Sequence, residues 1–272
     1  MTALPDSLAE FGPAALAAVV VAVYLVVGEP VVGHVLHGRF EGRLRTDAGA
    51  RRSFYRRLLV LEWGLSVVAL VVWLATPGVD AAAVGLAWPR AWPGPLTAVV
   101  VVVVLLLVVA STRQLRAGAL LETTRPARRS GHSPPAHGRH AEPPGQSTLA
   151  LLPRTADERR LFTVVGVTAG VCEEWLYRGF FLAVVAAVTG GAPEVVLVVV
   201  AAVAFGLAHA YQGRAGIVLT GVLGGVMAVL YLDTGSLLLP VLLHALIDLR
   251  FLLVPASALP APGAGPQGDA AG

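Results

Sequence analysis

The sequence predicts an all-α, polytopic integral membrane helical bundle with about seven transmembrane helices. Three observations carry that prediction. Of 272 residues, 56% are hydrophobic and only 14% charged, where soluble domains are nearer a quarter charged. The mean hydropathy is +0.74. Several apolar runs approach the ~20 residues that a helix needs to cross a hydrocarbon core about 30 Å thick.

All twenty basic residues are arginine. With abundant Ala, Val, Leu, Gly and Pro, this composition points to a GC-rich, bacterial genome. The basic balance does not imply a nucleic-acid partner. The arginines cluster between apolar runs, where they set membrane topology. The single cysteine, Cys172, excludes an intrachain disulfide and a cysteine zinc cluster. The N-terminus lacks a basic n-region and a small-residue cleavage site, so the first apolar run reads as a retained helix.

The elements follow in order. The first span covers about 12–33, with Glu29-Pro30 placed to kink it. A loop from His37 to Arg57 carries seven arginines. The second span is about 58–76. A Pro/Trp-rich connector, 77–94, follows; its Trp88 and Trp92 suit interfacial anchors, and its apolar content leaves room for a re-entrant piece. The third span is about 95–112. Residues 113–158 read as a disordered Arg/Pro/Gly-rich linker with incidental His132, His137 and His140. The linker separates an N-terminal three-helix region, 1–112, from a C-terminal helical core, 159–256. Thr155 or Asp157 is placed to cap the entering helix. Four runs, about 161–189, 194–210, 215–232 and 237–255, are separated by short turns, and 257–272 reads as a disordered tail. Arginine bias places loops 37–57 and 113–160 in the cytoplasm, the N-terminus outside and the C-terminus inside.

The chemistry sits in the C-terminal core. An ionisable group at mid-bilayer costs about 2.5–3.5 kcal/mol on insertion scales. Yet Glu173, Glu174, Arg178, His209, His244 and Asp248 all lie in apolar runs. Glu174 and Arg178 are four residues apart with the acid first, the favourable order for a helical pair. Glu173 is turned about 100° away and lacks a local partner. An unpaired carboxylate in apolar surroundings suits a general base. His244 and Asp248 share one helix face, as do Phe205 and His209.

EEWLYR at 173–178, FGLAH at 205–209 and HALID at 244–248 have the forms EExxxR, FxxxH and HxxxN/D. Together and in this order they resemble the CPBP family of intramembrane metalloproteases, which includes type II CAAX prenyl endopeptidases and bacterial Abi proteins. The resemblance covers roughly 160–255. It implies a membrane-embedded endopeptidase acting on a membrane-associated protein or peptide. It implies that Glu173 activates water, that Glu174 is held by Arg178, and that His209, His244 and Asp248 complete the site. It also implies one of two mechanisms. In one, zinc is held by a set drawn from Glu173, His209, His244 and Asp248. In the other, which is metal-free, the last motif donates hydrogen bonds to the oxyanion. Asp248 stands where the family commonly has Asn. An ionised Asp cannot donate, which favours the metal reading or a role in orienting His244.

Other residues read more simply. Cys172 suits a small apolar filler and Phe205 a packing residue. Gly221 and Gly225 suit close helix packing. His34 and His37 suit the interface, and Glu194 and Asp233 suit solvated turns. HExxH, a rhomboid-like serine motif and GxGD are absent. The rival functions are a small transporter using the buried Glu/His/Asp cluster as a proton pathway and a catalytically silent scaffold. Against the transporter, the two halves show no internal repeat. The sequence leaves the substrate and the oligomeric state open.

Overall fold

The computed structural model describes residues 4–44, 46–116, 150–256 and 259. Among them the chain forms seven long helices and no strand. They are α1 (Leu8–Arg43), α2 (Ala50–Leu74), α3 (Pro95–Arg116), α4 (156–189), α5 (Glu194–Ala208), α6 (Gly213–Thr234) and α7 (Leu238–Leu249). Four helical stretches are long and apolar enough to cross a membrane: Leu8–Arg43, Ala50–Leu74, Pro95–Gln114 and Ala210–Thr234. Valines and leucines along their outer faces, such as Val20, Val71 and Leu106, are exposed. This is a multi-pass membrane protein.

α1 begins with a capping box, Ser7 bonding backward and forward with Glu10. It turns sharply at Gly12, whose φ is +51°. Its middle is a π-helical segment, Tyr24–Gly28, immediately before Glu29-Pro30. The wide turn lets the Glu29 N–H reach the Tyr24 carbonyl. The next donor in that pattern would be Pro30, which has no N–H. The Leu25 carbonyl is instead met by the Tyr177 hydroxyl from α4, at 3.3 Å. So the expected Pro30 irregularity is a π segment inside a continuous helix.

The loop expected over 37–57 is much shorter. α1 runs to Arg43 and α2 starts at Ala50. Six of the seven arginines lie on helix ends, because aromatic packing extends both helices beyond the apolar run. Phe40 stacks on Phe54 with centroids 4.4 Å apart, and Tyr55 meets Phe162 edge-on. In the remaining turn, Asp47 accepts the Gly49 N–H at 2.7 Å and pairs with the Arg43 guanidinium. His37 is buried rather than interfacial and lies against Tyr211, with centroids 4.9 Å apart.

The connector 77–94 is a packed cap and not a span. Val79, Ala83 and Val84 are buried. Its carbonyls and amides bond to the turn between α6 and α7. The Tyr231 hydroxyl donates to Ala83 O, Leu237 N–H to Gly85 O, Ser236 Oγ to Ala87 O, and Gly94 N–H to Asp233. Trp88 and Trp92 stand exposed beside it, as interfacial anchors require. Gly78 N–H also bonds Glu10 O, so the N-terminus, the connector and the 233–237 turn share one end of the bundle. The opposite end gathers the arginine-rich segments. There Arg51 donates to Ala150 O, Tyr55 to Leu151 O, and Arg159 to Leu252 O.

Thr155 caps α4 through a capping box with Glu158. α4 then continues through a second π segment, Trp175–Phe181, into Leu182–Thr189. Its buried face forms one core with both parts of the chain: Leu25 and Ala69 join Leu176, Tyr177, Phe181 and Ala201. α5 and α6 cross closely at Gly206 and Gly221, where a Cβ on Gly206 would sit 2.6 Å from the Ile217 carbonyl. Gly225 faces Ala202 at van der Waals distance, as its small-residue spacing predicted. Residues 117–149 of the expected linker, with its three histidines, lie outside the described residues, as does most of the tail. Leu259 is buried against Leu152 and Val254.

Candidate active site

The site forms where two helices stop short. α5 has 15 residues and α7 has 12, giving about 22 and 18 Å at 1.5 Å per residue, less than the core thickness. Their ends leave a cavity of about 220 Å³ inside the bundle, which extends to Phe54, Tyr55, Leu151 and Phe251 toward the arginine-rich end. Glu173, His209, His244 and Asp248 line it, together with Glu29, Glu62, Tyr177 and Tyr211.

α4 presents the acidic pair. Glu174 and Arg178 are both fully buried, and Arg178 NH1 donates to Glu174 Oε1 at 3.0 Å. The same guanidinium donates to the Gly224 carbonyl at 3.1 Å and lies 4.3 Å over the Phe205 ring. Phe205 is therefore a packing residue, edge-on to Tyr177 and to His244. Gly224 is part of the arrangement, since a Cβ there would meet Phe205 at 2.9 Å. Cys172 is buried beside the pair.

α7 delivers His244. Gly166 and Gly170 on α4 make the approach possible. A Cβ on Gly170 would sit 3.0 Å from Ala245 and 3.1 Å from the Val241 carbonyl. His244 Nδ1 lies 2.6 Å from Glu174 Oε1. The carboxylate paired to Arg178 accepts, so this nitrogen carries the proton and Nε2 faces the cavity. Asp248 Oδ2 is 3.8 Å from His244 Nε2, beyond hydrogen-bond range. Glu174, not Asp248, therefore sets the orientation of His244.

His209 ends α5. Its Nδ1 is 2.9 Å from the Phe205 carbonyl, which only accepts, so His209 also turns Nε2 to the cavity. Both Nε2 atoms converge on one oxygen. Glu173 Oε2 is 3.8 Å from His244 Nε2 and 4.0 Å from His209 Nε2. That oxygen is buried and has no hydrogen-bond partner. All six residues singled out from the sequence thus meet at one site.

The donor types suit zinc, and each histidine has its second nitrogen pinned. The spacing does not. Tetrahedral zinc with bonds of about 2.0–2.1 Å holds its ligand atoms roughly 3.3 Å apart. At 3.8–4.0 Å the ligands would need to stand nearly opposite each other across the metal. Among the described residues no group of three or more His, Cys, Asp or Glu side chains is placed to hold a metal ion. A water hydrogen-bonded at about 2.8 Å to two atoms 4.0 Å apart has an angle of roughly 90° between them, within reach of its two O–H directions.

Two cavity acids, Glu29 and Glu62, were not singled out from the sequence as site residues. The signal was present, since each is a lone carboxylate in an apolar run, VVGEPVV and LVLEWGL. His37 and Tyr211 also line the cavity.

Residues 157–250 match the family described as type II CAAX prenyl endopeptidase Rce1-like. No curated protein and no solved structure matches the chain. The matched segment contains all six site residues and none of α1, α2 or α3.

Proposed function

Residues 157–250 form a domain of the Rce1-like type II CAAX prenyl endopeptidase family, and from that premise we propose that the chain is an intramembrane glutamate-dependent endopeptidase. It hydrolyses a peptide bond of a membrane-associated protein or peptide. The observation that carries this reading is the convergence of two oriented histidines on the unpartnered Glu173 Oε2, inside the cavity of the bundle.

In the proposed reaction a water donates one hydrogen to Glu173 Oε2 and the other to His209 Nε2. Its lone pairs then face the scissile carbonyl. Glu173 takes the proton as hydroxide adds to the carbonyl carbon. His244, as an imidazolium with Nδ1–H held by Glu174, donates its Nε2–H to the oxygen that becomes negative. Glu173 returns its proton to the leaving amine as the C–N bond breaks. Glu174, held by Arg178, acts through His244 as a positioning residue. The ligand spacing does not close around zinc, and each of these steps is carried by the chain's own residues.

The proposed setting is a bacterial cell membrane, with the arginine-rich end, and so the cavity mouth, on the cytoplasmic side. The test is peptide cleavage by purified protein in detergent. Glu173→Gln should lower kcat by about 10²–10⁴, the contribution of a general base. Undiminished cleavage would sink the assignment. Metal analysis of the same preparations decides between the two chemistries: stoichiometric zinc in the wild type, lost in His209→Ala and His244→Ala, would overturn the metal-free route.

A further inference from the structure

Two carboxylates enter the cavity from outside the matched domain. Glu29 comes from α1 and Glu62 from α2. Glu62 is the more unusual. Its Oε2 is buried and has no hydrogen-bond partner among the described residues. It lines the same cavity as Glu29, Glu173, His244 and Asp248. The anchors beside Glu62 are fixed: Trp63 Nε1 donates to Thr168 Oγ1 at 3.2 Å, and Ser66 O accepts from Trp175 at 3.2 Å. Glu62 is therefore held at the depth of the acidic pair rather than free to reach the headgroups.

The catalytic reading uses one of these four acids as base and gives no work to Glu29 or Glu62. Among the described residues no arginine lines the cavity. Arg178 does not line the cavity, and its two terminal nitrogens donate to Glu174 and the Gly224 carbonyl. An unpaired buried carboxylate is costly, and four acids around one cavity repel one another. A cation brought by a guest would relieve both. The remaining wall, including Leu25, Leu58 and Leu65, suits the aliphatic stem of a long basic side chain.

We propose that Glu29 and Glu62 form a specificity subsite for the side chain of an arginine or lysine in the substrate, close to the bond that is cleaved. The proposal rests on the endopeptidase reading and names the substrate class for that site. It makes the N-terminal helices the reader of the substrate and the matched domain the source of the chemistry.

The test uses the full chain in detergent and a positional-scanning peptide library. One position in turn is fixed as arginine, citrulline, leucine or glutamate. Citrulline keeps the shape of arginine and removes its charge. Cleavage by the wild type is measured, and so is retention of the same peptides by Glu173→Gln, which does not depend on turnover. At one position arginine should exceed citrulline by roughly tenfold or more, as for a desolvated charge pair, and glutamate should be weakest. Glu62→Gln and Glu29→Gln, each isosteric, should bring the arginine-to-citrulline ratio toward one, while Glu62→Asp should keep part of it. Equal handling of arginine and citrulline at every position, or no retention of either, overturns the subsite. A protonated, purely structural Glu62 gives that result. Retention that discriminates charge without any cleavage would support the subsite and refute the endopeptidase.

Discussion

Replacing Arg178 with methionine separates the structural from the chemical role of the acidic pair. Arg178 has no exposed surface. Its guanidinium donates to Glu174 Oε1 and the Gly224 carbonyl and covers the Phe205 ring. Methionine fills much of the volume and removes the charge. Glu174 then remains buried with only His244 beside it. Breaking one side of a buried pair costs about 3–5 kcal/mol, which for a chain of this size lowers the unfolding midpoint by roughly 10 °C. Replacing both partners, Glu174→Leu with Arg178→Met, removes the stranded charge and should recover at least half of that loss. Cleavage should not recover, because His244 Nδ1 has lost the acceptor that aims its ring. The assay is thermal unfolding in detergent followed by tryptophan fluorescence, with peptide cleavage on the same samples. A double variant as unstable as Arg178→Met would refute the stranded-charge argument. A double variant that cleaves at the wild-type rate would refute Glu174 as the residue that positions His244.

Gly170→Val should cost about 1–3 kcal/mol by overpacking and impair cleavage, because α7 can yield only by carrying His244 away from Glu174; full activity would refute that close approach. Tyr177→Phe should destabilise by about 1–3 kcal/mol, since the Leu25 carbonyl loses its donor; a neutral effect in unfolding experiments would mean the carbonyl finds another partner. Asp47 is held below the ordinary carboxylate range first by the Gly49 N–H and then by Arg43. A depressed carboxyl stabilises the fold above its unfolded pKa and loses that contribution as pH falls through the folded value. The midpoint difference between wild type and Asp47→Asn should therefore be constant near neutrality and shrink below about pH 4; a difference that grows on acidification would contradict the assignment.

The sequence disclosed what depends on spacing within one helix. Glu174 and Arg178 pair at four residues, and Gly221 and Gly225 pack closely, because 3.6 residues per turn dictates which side chains share a face. Some groupings of turns were legible too: among the described residues the arginine-poor connector 77–94 meets the N-terminal segment and the 233–237 turn, and the arginine-rich 37–57 region meets residues 150–151. Contacts between helices were not legible. Glu174 and His244 are 70 positions apart, and their meeting depends on how deeply α7 sinks onto Gly166 and Gly170. The same limit hid His37, whose neighbours are arginines in sequence but Tyr211 and Phe40 in space. The π segments were invisible because hydrophobic periodicity in an almost wholly apolar run carries little phase. Glu29 and Glu62 were readable as anomalies, yet nothing in their own helices pointed to Glu173.

The bonds from Tyr177 to Leu25 and from Trp175 to Ser66 join α4 to two helices that precede it in the chain. Synthesis runs from the N-terminus, so α1 and α2 are in the bilayer before α4 leaves the ribosome. The carbonyl left open by Pro30 then stands ready as a landing point in lipid, where an unmet backbone group finds no water. The helix carrying Glu173, Glu174 and Arg178 thus enters a membrane that already holds its receptor. The proline within α1 serves the assembly of α4.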